Sequence, residues 1–235
     1  MKRILLVGLV LALLLVGCGK GENPPETHPA PSLTAEEIIA KASPKLDELT
    51  SFHFKLSQKG GGTPITLGLQ MTGASGDVAP PDKLKMKIEA KWVGQFVETN
   101  LVTVGKTTYM TNPLNGKWET LTEDFNAVTL FQPNTGIKAV MESATDLSML
   151  DEESVDGVLC FHLKGMLVSE SLDAIAAGHA AKGLPVKCDI WIGVDDFLLR
   201  KVVLEGKICD DENEGIIRTL ELSQFNEPVA IELPE

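Results

Sequence analysis

The chain has 235 residues, 43% of them hydrophobic and only 5% aromatic, which is enough for one ordinary domain or two small ones. Lys and Arg number 21 against 33 for Asp and Glu, and the formal net charge of −12 removes the electrostatic basis for a nucleic-acid partner. Mean hydropathy is +0.07, high for so charged a chain, and the apolar excess is concentrated at the N-terminus.

Met1-Lys2-Arg3 is a short basic start, and Ile4 to Val16 is an apolar run too short for a membrane-spanning helix of about 20 residues. It reads as a secretory signal. The run closes on Leu15-Val16-Gly17-Cys18, which resembles the lipobox of a bacterial lipoprotein signal: a branched residue, a small residue and a cysteine. The resemblance implies that the Cys18 thiol takes a diacylglyceryl group, that cleavage follows Gly17, and that the new N-terminus is open to acylation. Two or three acyl chains, at about 0.8 kcal/mol per buried methylene, would hold the protein to a membrane where one alone would not. Loss of Lys2 and Arg3 with every acid retained takes the net charge from −12 to −14, which favours a domain held off an anionic surface.

Gly19 to Ser32 carries four prolines and two glycines and reads as a tether. The expected organisation is therefore a signal peptide over 1–17, a lipidated cysteine and Pro-rich tether over 18–32, and one domain over 33–235.

Thr34 and Glu37 form the two halves of a capping box, with Leu33 placed to staple onto Ile38, so a helix starts there. Ile38, Ile39, Ala42, Leu46 and Leu49 share a face, and Pro44 is placed to kink the helix. After Thr50 the period becomes 2. Phe52, Phe54 and Leu56 alternate with polar residues, Gly60-Gly61-Gly62 turns the chain, and Ile65, Leu67, Leu69 and Met71 alternate again, predicting a hairpin. Leu84, Met86, Ile88 and Ala90 alternate with lysines and predict a strand with one wet face. Further strands are expected over 95–104, 107–110 and 118–121, then a helix from Asn134 to about Leu147 through Ile137, Val140 and Met141. Strands are expected over 157–164, 185–194, 197–208 and 215–225, with a helix-permissive stretch from Ser169 to Ala180. The whole predicts one α+β domain on an antiparallel sheet of roughly eight to eleven strands, large enough that it must curl.

The chemistry-bearing residues are scattered. His28, His53, His162 and His179 show no metal-ligand spacing, and His53 and His162 fall on the polar phase of their strands, where a solvated position is expected. No nucleophile elbow, zinc-protease motif, phosphate loop or dinucleotide fingerprint occurs, so neither catalysis, a metal nor a cofactor is expected. The acidic run Asp210-Asp211-Glu212-Asn213-Glu214 lacks the spacing of a calcium loop and reads as a solvated hairpin tip. Three thiols remain besides Cys18. Phase puts Cys160 on the outer face and Cys188 on the inner, so no disulfide among Cys160, Cys188 and Cys209 is assigned.

The order of parts resembles the LppX, LprA, LprF and LprG lipoproteins, and more distantly the LolA and LolB carriers. The likeness rests on the lipobox at Cys18, the Pro-rich tether, the capped helix leading into Phe52 and Phe54, and a helical insert after a run of strands. Val155-Asp156-Gly157, Trp191-Ile192-Gly193-Val194-Asp195 and the closing Ser223-Gln224-Phe225-Asn226-Glu227-Pro228-Val229 add to it. The resemblance implies a curved half-barrel sheet with helices on its concave face, enclosing a hydrophobic cavity for the acyl chains of a lipid or glycolipid. Candidate cavity residues are Ile38, Ile39, Leu46, Phe52, Phe54, Leu56, Ile65, Leu67, Leu69, Met71, Leu84, Met86, Ile88, Ile137, Val140 and Met141. The expected partners are that lipid and, through Cys18, a membrane. A contrasting expectation is a structural or regulatory envelope protein that holds a protein partner through the sheet edge or the acidic surface around Asp210 to Glu214.

Overall fold

The computed structural model describes residues 33–65, 68–121, 127–132, 136–176 and 178–234. The signal run, Cys18, the tether and Leu67 lie outside them. The first helix, α1 (Ala35–Asp47), begins on the predicted capping box. The Glu37 N–H donates to the Thr34 hydroxyl at 3.2 Å, and the Thr34 N–H donates to the Glu37 carboxylate at 2.8 Å. Two of the helix's orphan donors are thereby satisfied. The helix runs through Pro44 and buries Ala35, Ile38, Ile39, Ala42 and Ser43.

Among the described residues, thirteen strands form one sheet. They are β1 (Phe52–Lys59), β2 (Thr63–Pro64), β3 (Gln70–Ala79), β4 (Lys83–Trp92), β5 (Gln95–Val104), β6 (Thr107–Thr111), β7 (Trp118–Thr120), β8 (Thr145–Met149), β9 (Glu153–Val155), β10 (Val158–Val168), β11 (Pro185–Gly193), β12 (Leu199–Glu205) and β13 (Ile217–Ser223). The order is β7-β6-β5-β4-β3-β1-β13-β12-β11-β10-β8, with β2 on β3 and β9 on β10. Every described pairing is antiparallel. The first and last strands meet at the middle, from His53 opposite Ser223 to Lys59 opposite Ile217, so two meanders leave that seam in opposite directions. An open sheet of this size accumulates twist and curls. Its concave face carries α1 and α2 (Ile137–Glu142), giving the α+β architecture that the sequence predicts. The helices are tied to each other by Ser43 to Glu142 and by the Lys138–Asp47 ion pair.

Strand β4 shows how the face is chosen. Leu84, Met86, Ile88 and Ala90 are buried while Lys83, Lys85, Lys87 and Lys91 are exposed. Elsewhere local pattern and fold differ. Of the predicted strand over 65–72, residues 70–72 open β3, and the two-residue β2 before it folds back on β3 with Thr63 opposite Met71. The partner of β1 is β3, from Phe52 opposite Val78 to Ser57 opposite Gly73. Small and polar residues hide β3 from any alternation test, and they are there for close packing. Gly76 lies opposite Met86, and a Cβ on it would stand 2.6 Å from the Met86 Cα.

The second helix ends at Glu142, not near Leu147. Ser143 closes it, and Leu147 instead belongs to β8, which pairs with β10. Sheet pairing thus takes residues whose spacing also suits a helix. From Ser169 only a 3-10 turn to Leu172 forms, because the Ser169 hydroxyl is engaged by the Ala181 carbonyl and the Leu184 N–H.

The outer face is less wet than its phase predicts. His162 is 15% exposed, stacks on Trp191 with centroids 4.2 Å apart, and shares a 2.9 Å hydrogen bond with Asp189. Trp191 stands opposite both His162 and Lys201 on adjacent strands, and the Lys201 ammonium lies 4.4 Å from its ring, so the three cover one another. His53 is a third exposed and bonded to Asp77 at 2.7 Å. Cys160 keeps the predicted outer phase yet is buried, opposite Gly193. The acidic run is also divided: Asp210, Asp211 and Glu214 are exposed, whereas Glu212 is buried against Arg218.

Candidate functional site

Between the concave face and the helices lies a cavity of about 820 Å³. Phe54 and Leu56 of β1, Met71 and Ala74 of β3, and Met86 and Ile88 of β4 form one wall. Cys188 and Ile190 of β11, Val202 and Leu204 of β12, and Leu220 of β13 form the other. Ile137, Val140 and Met141 of α2 close it from above, joined by Leu130 and Phe131 of a 3-10 turn (Ala127–Phe131). Period-2 strands make this wall because alternate residues share a face, while α2 presents one turn of apolar side chains to it.

Apart from Thr129, Gln132 and Ser143 beside α2, polar groups reach the cavity in two places. Glu170, Ser171 and Asp173 line it from an exposed or half-exposed segment, and the Gly183 N–H, donating at 2.9 Å, holds the Glu170 carboxyl below its ordinary value. Arg218 lines it from β13, its guanidinium engaged by Glu212, the Thr63 hydroxyl and the Gly206 carbonyl. The remaining wall offers area and few directed hydrogen bonds. Methionines 71, 86 and 141 add a compliant surface that follows irregular alkyl shapes. Burial pushes the Cys188 thiol up to about 11, so it is a small apolar wall atom at neutral pH. Among the described residues no group of three or more His, Cys, Asp or Glu could hold a metal ion.

A smaller cavity of about 440 Å³ adjoins the end of α1, lined by Leu46, Leu49, Phe52 and Leu222 together with Asp47, Lys138 and Gln132. Phe131, Gln132 and Ile137 border both spaces.

The structure brings together nine of the candidate residues on the larger cavity: Phe54, Leu56, Ile65, Met71, Met86, Ile88, Ile137, Val140 and Met141. Leu46 and Phe52 face the smaller one. Ile38, Ile39, Leu69 and Leu84 line neither; their side chains are spent on packing in the buried core. Leu67 falls outside the described residues. Sequence reasoning missed the whole second wall, although Val186, Cys188, Ile190 and Ile192 alternate as plainly as β4 does. It also missed Ala74, which has no apolar alternation to mark it, and the aromatic Phe131.

A single curved antiparallel sheet with helices over an apolar cavity defines an α+β domain of the half-barrel type. The chain belongs to the LppX_LprAFG lipoprotein family, whose model matches residues 34–231. The lipoarabinomannan carrier protein LprG of Mycolicibacterium smegmatis is 24% identical over 230 residues, covering 95% of this chain and 91% of that one. LprF of Mycobacterium bovis superposes with a TM-score of 0.67 at 17% identity, over 85% of this chain and 96% of that one. LppX of Mycobacterium tuberculosis does so with a TM-score of 0.58 at 21% identity, over 83% and 98%. These likenesses establish the family and the fold.

Proposed function

We propose that the protein is a membrane-anchored lipoprotein that binds a lipid or glycolipid non-covalently, with its acyl chains in the concave cavity, and carries or presents it. The observation behind this reading is the cavity of about 820 Å³ walled by aliphatic, aromatic and methionine side chains from β1, β3, β4, β10, β11, β12, β13 and α2. Its size falls in the range of small-molecule sites, and its lining suits a ligand that needs burial rather than orientation. Each methylene transferred into it contributes about 0.8 kcal/mol, so a two-chain lipid can be held without a charged contact. A polar head group would remain near Glu170, Ser171 and Asp173, where the lining meets solvent. The LprG relative is named as a lipoarabinomannan carrier, which supports a lipid or glycolipid as the ligand class here. Residues 1–17 would be the signal, Cys18 the lipidated anchor, 18–32 the tether and 33–235 the binding domain.

The test is displacement of a fluorescent fatty acid from the purified full chain by phospholipids and glycolipids. Saturable uptake with competition by two-chain lipids is expected. An absence of uptake together with an unchanged melting temperature in excess lipid would overturn the proposal.

A further inference from the structure

The larger and smaller cavities meet at one aromatic side chain. Phe131 closes the 3-10 turn Ala127–Phe131 and lines both spaces. Its ring centroid is 5.4 Å from that of Phe52, edge-on at 68°, and 4.9 Å from that of Phe54, tilted at 49°. Phe52 faces only the smaller cavity and Phe54 only the larger, so the ring of Phe131 is wedged where the two would otherwise join. Beyond it the smaller cavity presents Leu46, Leu49 and Leu222, with the partly exposed Lys138–Asp47 pair at its rim. A recess with this leucine lining, one aromatic ring away from an apolar cavity, suits the far end of a polymethylene chain.

The backbone behind the ring is held. The Gly136 N–H donates to the Gln132 carbonyl at 2.8 Å, and a Cβ at position 136 would collide with the Leu130 carbonyl oxygen. The turn therefore lies directly against the start of α2 and has no room to retreat toward it. Side-chain rotation of Phe131 is one way to open the partition that it forms with Gln132 and Ile137, and it exchanges ring contacts with Phe52 and Phe54 for contacts that an alkyl chain can supply.

We infer that the two cavities are one alkyl-binding space divided by Phe131, and that rotation of this ring admits a long acyl chain from one compartment into the other. The inference rests on the lipid-binding reading above and assigns it a dependence on chain length. Chains short enough for one compartment leave the ring in place. Longer ones displace it, and their added methylenes offset the lost aromatic contacts.

The experiment uses the full chain in phosphatidylcholine vesicles, loaded with palmitic or lignoceric acid carrying a terminal diazirine and then irradiated, with cross-linked residues located by mass spectrometry. The palmitic probe is expected to mark one compartment. The lignoceric probe is expected to mark both, reaching residues around Ile88 or Ile190 on one side and Leu46 or Leu222 on the other. Phe131→Ala should raise the share of lignoceric cross-links in the second compartment about tenfold and Phe131→Trp should lower it, because two aromatic contacts hold the closed position. Lignoceric cross-links confined to one compartment in the wild type and in Phe131→Trp, both folded by circular dichroism, would overturn the inference even if Phe131→Ala fails to fold. No cross-link in either compartment with either probe would overturn the lipid-binding reading itself.

Discussion

Glu212 and Arg218 form an ion pair with both side chains out of solvent, 0% and 1% exposed, and Arg218 borders the cavity. One carboxylate oxygen of Glu212 accepts from Arg218 and from Thr63 Oγ1, and the other accepts from the N–H groups of Ile208 and Cys209 at 2.7 and 3.1 Å. Four segments are thereby fixed at one point beneath the concave face. Removing one partner strands a buried charge, so Glu212→Ala is expected to cost about 3–5 kcal/mol, while a Glu212→Leu, Arg218→Met pair costs less. Urea denaturation of the three proteins checks this. Equal losses for the single and double variants would contradict it.

The same pair predicts an acid limit. Burial alone would raise the Glu212 carboxyl, but the Arg218 hydrogen bond, the Ile208 N–H and the guanidinium charge together hold it below its ordinary value. Its contribution to stability is then complete above the unfolded carboxyl's pKa of about 4.3 and is lost as pH falls below that, through the lower folded value. Glu212→Gln should show a shallower decline of melting temperature across this window than the wild type. An identical decline would contradict the assignment.

Cys160, Cys188 and Cys209 are buried and unbridged. Burial is the leading cause that raises all three thiols, with Cys188 and Cys209 reaching about 11. Because thiolate is the reactive form, maleimide labelling of the native chain at pH 8 is expected to be slow at all three positions and complete after denaturation without reductant. Fast native labelling of Cys188, or thiols missing after denaturation, would contradict this. The raised thiols also predict stability that falls as pH rises past about 8.5, where the unfolded thiols ionise and the folded ones do not.

Ala74 is the small residue in the β1–β4 wall of the cavity and is 6% exposed. Ala74→Trp is expected to fill the space, lowering fatty-acid affinity at least about tenfold at a stability cost of about 1–3 kcal/mol. Fluorescent fatty-acid titration reads the first and urea denaturation the second. Unchanged affinity in a folded variant would place the ligand elsewhere.

The proposed anchor has its own test. Cys18→Ser should move the protein from the membrane fraction to the soluble one and abolish incorporation of radiolabelled palmitate. Continued membrane association without label would assign the attachment to the uncleaved apolar run instead.

What could be read from the chain follows from where the physics is local. The Thr34–Glu37 box, the alternation of β4 and the apolar run before Cys18 each carry their signal within a few residues, and α1 and β4 stand where the sequence places them. Strand β3 carries no such signal, since Gly73 and Gly76 are selected by the strands on either side of them and not by their own pattern. Glu212 is indistinguishable from its acidic neighbours until Arg218, six residues away, folds against it. Phe131 is one aromatic in a short turn, and only contact with Phe52 and Phe54 gives it a place between two cavities. The family resemblance supplied the cavity, whereas β11 to β13 show that half of its wall was open to the same alternation test.

The most direct measurement of the central claim is organic extraction of the full chain purified from its native membrane, followed by mass spectrometry of the extract and of the protein before and after. Any lipid joined covalently at Cys18 would stay with the protein, and lipid held in the cavity would leave with the solvent. The account predicts a two-chain lipid or glycolipid in near-equimolar amount, absent from Ala74→Trp. An extract without lipid, or the same lipid recovered equally from Ala74→Trp, would contradict it.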